Sequence, residues 1–368
     1  MSGPTKLVIA GLGLVGLRHA EAIDRLKDVA LAAVVDPGEA GQVFAAERGV
    51  ACYASLSKMF EVEQPDGIIL STPTPLHVEQ ALECVARGCP TLVEKPLAVS
   101  SEEASVLVTA AENANVPLLV GHHRRHNPLI QKAHEVINNG EIGQIRTVHA
   151  NCWFYKPDDY FDLAPWRKQK GAGPISVNLV HDVDLIRYLC GEIVSVQAQA
   201  SPSARGFENE DVAAAVLRFE NGAIGTITVS DTVVSPWSWE LTASEYPIYP
   251  PTQQSCYLLG GTHGSLSLPD LTLWSQPGGR DWWKPISATT LTRDASDPLV
   301  NQIVHFAAVI AGDEVPLVSG AEGLKTLQVI EAIQAAAQSG EQVFIGGGQA
   351  GVGAESAIGP LESSINTQ

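Results

Sequence analysis

An apolar run, Leu7-Val8-Ile9-Ala10, leads directly into Gly11-Leu12-Gly13-Leu14-Val15-Gly16, and a second apolar run, Leu31 to Val35, ends at Asp36. The order is strand, glycine-rich turn, helix, strand, carboxylate. A βαβ unit on a parallel sheet satisfies all five at once, and it is the layout that holds a dinucleotide. Gly11 permits a tight turn, Gly13 lets the backbone approach a pyrophosphate, and Gly16 lets helix and strand pack closely. The backbone of Leu12, Leu14 and Val15 completes the cradle, and the helix N-terminus presents free N–H groups to an anion. Asp36 accepts hydrogen bonds from both ribose hydroxyls and repels a 2′-phosphate, so NAD is expected in preference to NADP. The plainer alternative is a strand–helix turn with an incidental aspartate, which leaves the third glycine without a use.

The same alternation continues to residue 123. Strands are expected at Leu7–Ala10, Leu31–Val35, Gly67–Leu70, Thr91–Val93 and Leu118–Val120. Helices are expected at Val15–Leu26, Glu39–Arg48, His77–Arg87 and Ser101–Asn113. Short apolar strands separated by helices predict a doubly wound parallel sheet buried on both faces. Ligands bind outside the carboxyl ends of such strands. Those ends carry Gly11–Gly16, Asp36, Ser71-Thr72-Pro73-Thr74-Pro75, Glu94-Lys95-Pro96 and Gly121-His122-His123-Arg124-Arg125, all polar, charged or glycine-rich. Ser71, Thr72, Pro73, Thr74, His77, Glu94 and Lys95 are therefore expected on the cofactor.

Beyond residue 123 the pattern changes to α+β with a largely antiparallel open sheet. Helices are expected at Leu129–Ile137, Val177–Leu189, Leu299–Ile310 and Glu322–Gln338. Strands are expected at Ile145–Trp153, Val194–Ala200, Val212–Phe219, Ala223–Val229, Cys256–Leu259, Ser265–Leu268 and Leu271–Trp274, with an Asn221-Gly222 hairpin turn. The 368 residues exceed what one core usually serves, and 45% hydrophobic content supplies ample core material. The expected division is a nucleotide-binding domain, 1–123, a substrate-binding and oligomerisation domain, 124–345, and a disordered tail, 346–368.

A net charge of −18 argues against nucleic acid and anionic membranes as partners and leaves a small molecule. The six cysteines form no C-x-x-C pair, which suits free thiols in a reducing cytosol. The chain starts without a basic, apolar leader and contains no run of 18 apolar residues, so a cytoplasmic protein is expected.

Lys95 reads in two ways, as a solvated partner of Glu94 or as an ammonium facing the crevice and stabilising a developing alkoxide. Pro96 restricts Lys95 to extended conformations and helps to aim it. In Gly171–Leu185 a glycine-rich turn opens a helix on which Asn178, His181, Asp182 and Leu185 share a face. His181 is the candidate general base, with Asp182 or Asp184 to orient it or to bind substrate. A surface helix with two exposed acids is the alternative. The run His122-His123-Arg124-Arg125-His126 joins the domains, and its arginines are candidates for an anionic group. Its three histidines lack the spacing of a metal site, so no metal is expected. Trp153, Trp166 and Arg167 belong to an aromatic group that reads either as core packing or as a wall for a ring substrate. Substrate contacts are thus expected from Lys95, His122, Arg124, Trp153, Trp166, Arg167, Asn178 and His181.

These segments together resemble the glucose–fructose oxidoreductase / inositol dehydrogenase / rhizopine-catabolism (Gfo/Idh/MocA) family, over nearly all of residues 5–345. The resemblance implies a Rossmann domain followed by an α/β domain whose open sheet makes subunit contacts, as a homodimer or homotetramer. It implies NAD(P)-dependent oxidation of a secondary alcohol on a sugar, inositol or related cyclic polyol. Lys95 matches the family's catalytic lysine and His181 its catalytic histidine. Many members carry an aspartate four residues before that histidine; here the position is Val177, with Asn178 as a neutral substitute. Two further readings stay open: a cyclic dihydrodiol dehydrogenase with a carboxylate held by Arg124 and Arg125, and an NAD-binding regulator or sensor without turnover.

Overall fold

Six strands, β1 (Thr5–Ala10), β2 (Val29–Val35), β3 (Ala51–Tyr53), β4 (Gly67–Leu70), β5 (Thr91–Val93) and β6 (Leu118–Val120), lie parallel in the order β3-β2-β1-β4-β5-β6. The computed structural model describes residues 3–347. Five helices, α1 (Leu14–Asp24), α2 (Glu39–Arg48), α3 (Leu56–Phe60), α4 (His77–Ala86) and α5 (Ser101–Ala114), connect the strands. The strand order reverses between β1 and β4, which opens the crevice where such sheets hold ligands. Alternation along β1 feeds two cores: Val8 and Ala10 point into one, Leu7 and Ile9 into the other. That is why these strands read as continuous apolar runs.

Two elements of this half have no counterpart in the expectation, β3 and α3. Ala51-Cys52-Tyr53 is too short to show a period, and its pairing with β2 comes from the neighbouring strand. Helix α5 starts where expected, at Ser101, with Ser100 as its cap. Ser100 accepts from the Glu103 N–H, while the Ser101 hydroxyl donates to Glu331.

The second half begins with α6 (Pro128–Asn138) and β7 (Ile145–Trp153), then α7 (Asp158–Asp162), α8 (Pro174–Val177) and α9 (Leu179–Cys190). Strands β8 (Ile193–Pro202), β9 (Glu210–Phe219) and β10 (Ile224–Ser230) follow, then α10 (Trp239–Thr242) and strands β11 (Tyr257–Gly261), β12 (Gly264–Leu268), β13 (Thr272–Ser275) and β14 (Ser287–Thr290). The last elements are α11 (Pro298–Ala311), α12 (Gly320–Ser339) and β15 (Val343–Phe344). Nine strands form one sheet, β14-β13-β12-β11-β7-β10-β9-β8-β15, antiparallel except for the β7–β10 pair. In β9 buried and exposed residues alternate, so one face packs on α9 and α12 and the other faces outward.

The helix expected over Val177–Leu189 is two helices. Asn178 (φ −103°, ψ −54°) separates α8 from α9, and the His181 N–H reaches Asn178 O at 3.1 Å in a tight i→i+3 turn. Residues 298–327, late in the chain, also build the first half. Leu299, Ile303, Phe306 and Val309 of α11 complete one core of the parallel sheet, and Val318 and Leu327 join the other. The far end of α12, through Val329, Ile330 and Ile333, packs on the second sheet. Of the expected tail, Ile345–Gly347 forms a short 3₁₀ turn, and residues from 348 lie outside those described.

Candidate functional site

The dinucleotide cradle is built by sterics. Gly11 has φ +86°, a conformation that side chains resist, and a Cβ at Gly16 would lie 2.0 Å from Gly11 O. Helix α1 thus starts against the turn. Ser71, at the end of β4, donates its hydroxyl to Gly11 O at 2.7 Å and locks the turn from the other side of the crevice. The first bond within α1 runs from Leu17 N to Gly13 O, so the N–H groups of Leu14, Val15 and Gly16 precede it, and no side chain caps them. Beside Gly13 lies open space. The Asp36 carboxylate accepts from Leu12 N at 2.9 Å and from Gly38 N at 2.8 Å, which holds it at the mouth of the crevice. Uncapped N–H groups, a bare glycine and an acid at the end of β2 fit a dinucleotide's pyrophosphate and ribose.

Thr72 donates to Gln80 Oε1 at 2.6 Å, which ties the Thr72-Pro73-Thr74 loop to α4. His77 does not face the crevice as expected. It is 1% exposed, and its two ring nitrogens lie 2.9 Å from Pro96 O and 2.8 Å from Thr72 O. It pins the two loops that flank the cofactor position and reaches the cofactor only through them. Glu94 is likewise withdrawn. Its Oε1 lies 2.8 Å from His19 Nε2 on α1, and Oε2 accepts from Lys95 N. Burial raises the Glu94 carboxyl, but His19 and Lys95 outweigh it and hold it down at about 2. His19 carries no motif of its own and went unnoticed in the sequence.

Glu94 is committed to His19 and to the Lys95 N–H, and its charge acts on the Lys95 ammonium without a side-chain hydrogen bond to it among the described residues. The Lys95–Pro96 peptide bond is cis. Burial lowers the Lys95 pKa, partly offset by Glu94, with Arg124, Glu240 and Lys156 acting on the same charge. His181 is lowered well below the usual imidazole value, first by burial and then by Lys95 and Arg124. Its ring centroid stands 6.3 Å from that of His122 and 5.9 Å from that of His123. Lys95, His122, Arg124 and His181 are therefore gathered at one place, beneath the nucleotide crevice.

Neither aspartate orients His181, contrary to expectation. Asp182 is fully buried, accepts from the Tyr257 hydroxyl, and stands 3.5 Å from Arg124 Nη1. Burial pushes it up to about 6 against the pull of Arg124. Asp184 takes both Nε and Nη2 of Arg125, at 2.9 and 2.7 Å. The His181 Nδ1 and the Asn178 Oδ1 are buried without a hydrogen-bond partner among the described residues. Arg125 also meets Glu322, so its charge is matched within the protein, whereas Arg124 donates to Glu240 at 2.7 Å through Nη2 and keeps Nε and Nη1 buried without a hydrogen-bond partner among the described residues. His123 turns to Glu245 and His126 lies against His305, so the three histidines of the run face different partners.

Trp153 does not line the site. Along β7 the buried Cys152 faces the core, so Trp153 points to the outer face, where its indole N–H donates to Thr228 at 2.8 Å. Trp166 is half exposed beside the cleft. The Arg167 guanidinium lies 4.0 Å from the Tyr160 ring centroid and donates to Tyr160 O. Lys156 and Glu240, which the sequence did not single out, complete the cluster. The only sequence signal for Lys156 is its place just past the end of β7.

These buried groups set an acid limit on stability. His122 is lowered to about 4 and His126 to about 3, both chiefly by burial. An unfolded chain takes up protons at about pH 6.5 that the folded chain refuses, so stability falls as pH drops below that value. Glu94 and Glu245, each held at about 2, add stability above the ordinary glutamate range that is lost as pH falls through their folded values. The urea midpoint is therefore expected to decline from about pH 6.5 and more steeply below about pH 4.5. A midpoint flat between pH 7 and pH 4 would contradict the burial of these groups.

Known protein families match both halves of the chain. A sequence model described as "Oxidoreductase family, NAD-binding Rossmann fold" matches residues 5–122, and the "GFO/IDH/MocA C-terminal domain" matches residues 130–267. The rhizopine catabolism protein MocA of Rhizobium meliloti is 32% identical over 187 residues, which is 51% of this chain and 57% of that protein. The scyllo-inositol 2-dehydrogenase (NAD(+)) of Bacillus subtilis (strain 168) is 28% identical over 342 residues, 89% of this chain and 93% of that one. Among solved structures, the WlbA dehydrogenase of Bordetella pertussis, in complex with NADH and UDP-GlcNAcA, superposes with a TM-score of 0.75 at 26% identity, over 93% of this chain and 99% of that one.

Proposed function

Because the chain belongs to the Gfo/Idh/MocA family of NAD-binding oxidoreductases, we propose that it oxidises a secondary alcohol on the ring of a sugar, inositol or related cyclic polyol, with Lys95 and His181 as its catalytic residues. The observation that carries this reading is their meeting beneath the crevice, both half-buried, with the Lys95 charge acting on the His181 ring. The backbone of Gly11, Leu12, Gly13, Leu14, Val15 and Gly16 would hold the pyrophosphate of NAD, and Asp36 its adenosine ribose; the nicotinamide would supply the hydride acceptor for the carbinol carbon. Ser71, Thr72, Pro73 and Thr74 shape the opposite wall, kept in place by His77.

His181 is neutral at neutral pH because its environment opposes protonation. Its Nδ1 is walled in, so Nε2 is the nitrogen that takes the alcohol proton. Lys95 donates to the same oxygen and stabilises the alkoxide as it forms. Asn178, whose carbonyl is walled in as well, offers its amide N–H groups to a neighbouring ring hydroxyl, the role that Val177 cannot fill. The outer face of the second sheet exposes Val216, Ile224 and Leu258, which suits self-association as a homodimer or homotetramer. The six cysteines, all free, suit the reducing cytosol, and no helix among the described residues is long and apolar enough to cross a membrane.

A panel of inositols, pyranoses and cyclic diols, assayed for reduction of NAD and NADP, tests the reading. Tight NAD binding without turnover of any of them would sink it and favour a sensor. Asp36→Asn tests the cofactor assignment separately. It keeps the size of the side chain and removes the charge that repels a 2′-phosphate, so the NAD-to-NADP ratio of kcat/KM should fall by about tenfold or more. An unchanged ratio would remove Asp36 from cofactor choice.

A further inference from the structure

Lys156 is a buried cation that the reaction leaves unused. It is 5% exposed, just past the end of β7. Its nearest carboxylate oxygen, Asp231 Oδ2, is 3.6 Å from Nζ. That carboxylate is already claimed by Arg205, whose Nη1 lies 2.8 Å from Oδ1. Arg205 holds the segment in place by donating also to Lys156 O and Asp231 O. Asp231 is thus a shared partner, and the ammonium, with three protons to give, has one distant acceptor. Glu240 acts on the Lys156 charge and gives Oε1 to Arg124, with Oε2 buried and unpartnered among the described residues, and Glu210, also nearby, accepts from Ile175 N.

A second cation stands beside it. The Lys156 Nζ lies 5.2 Å from the centroid of the Tyr160 ring, and Arg167 covers the same ring at 4.0 Å. Arg167 meets no carboxylate within ion-pair distance among the described residues, and its Nε is buried without a partner. Two under-matched cations on one aromatic ring, close enough to Lys95 for the Lys156 charge to act on it, form a built anion site next to the proposed reaction centre.

We propose that Lys156 and Arg167 receive an oxyanion carried by the substrate, so that the ring oxidised at Lys95 and His181 is an acidic one, such as a sugar acid or a sugar phosphate. The inference rests on the dehydrogenase reading for the ring and adds the charge. It moves anion recognition away from Arg125, whose guanidinium is taken by Asp184 and Glu322. Tyr160 offers its ring to both cations.

The test uses hexuronates, hexose 6-phosphates and the corresponding neutral hexoses with the full chain and NAD. Wild type should prefer one acidic series over the neutral one, and the preferred series tells carboxylate from phosphate. In Lys156→Gln and Arg167→Gln the acidic-to-neutral ratio of kcat/KM should fall by about tenfold to a hundredfold, mainly through KM. Lys156→Arg should retain part of the preference, and unchanged thermal midpoints exclude a folding defect. Calorimetric titration of the same compounds onto the NAD-loaded protein separates the two proposals. Acidic ligands that bind in a Lys156-dependent manner without turnover would support the anion site and overturn the dehydrogenase reading. Turnover of neutral rings as efficient as that of acidic ones, an unmoved ratio in the variants, or failure of both acidic series to bind would overturn the anion site.

Discussion

Lys95→Ala and His181→Ala should each lower NAD reduction by about 10²–10⁴-fold, the range of a lost general acid or base. The cradle of Gly11 to Gly16 and the Glu94–His19 pair are untouched by either change, so NAD affinity should stay within a few-fold of wild type. The two losses should not multiply in the double variant, because both groups serve one oxygen. Lys95→Arg is a sharper probe than alanine. It keeps the charge but replaces a compact ammonium with a broad planar group, and it should stay impaired. Measured with the best substrate of the panel, wild-type turnover in either alanine variant would remove that residue from the chemistry.

The second large effect concerns folding. Arg125 is 2% exposed and gives a forked pair of hydrogen bonds to Asp184, which is 1% exposed. Its Nη2 also reaches Glu322 on α12 at 3.1 Å, and the guanidinium lies over Tyr188. Arg125→Ala leaves Asp184 buried beside a void. Breaking such a pair from one side costs about 3–5 kcal/mol. For a chain of this size that corresponds to a fall in Tm on the order of 10 °C. Replacing both partners with apolar residues, Arg125→Met with Asp184→Leu, should recover most of the loss, because the cost lies in the unpaired charge. A Tm within about 2 °C of wild type for Arg125→Ala would show that the pair is solvated in solution.

How far the sequence carries depends on whether a residue's meaning is local. The glycine fingerprint, Asp36 and Lys95 are legible because each sits where one strand ends, and strand ends of a parallel sheet converge by topology. His181 is legible through the glycine-rich turn before its helix. Partners that arrive from distant segments leave no such mark. His19, Glu240, Glu245 and Tyr257 look like ordinary residues until the fold places them against Glu94, Arg124, His123 and Asp182. Misassignments have the same origin. Asp182, Asp184 and Arg125 read as ligands in the sequence because nothing there shows their partners, Tyr257 for Asp182 and each other for Asp184 and Arg125. His77 reads as a cofactor contact because its two carbonyl partners are invisible until the loops close. Trp153 is misplaced by a single position of strand alternation, since its neighbour Cys152 faces the core. Lys156 also lies just past a strand end, but the convergence that marks Lys95 belongs to the parallel sheet and leaves no such mark in the mostly antiparallel second one.

The late helices give the chain a particular order of assembly. Leu299, Ile303, Phe306 and Val309 of α11 and Val318 and Leu327 around α12 finish cores whose strands are made first. During synthesis the parallel sheet therefore waits, with apolar faces uncovered, until almost the whole protein has left the ribosome. A product cut short before residue 298 would own every residue of the dinucleotide fingerprint and still lack the packing that keeps it in shape. Competence to hold a nucleotide thus comes last in the life of the chain, although its signature is written first.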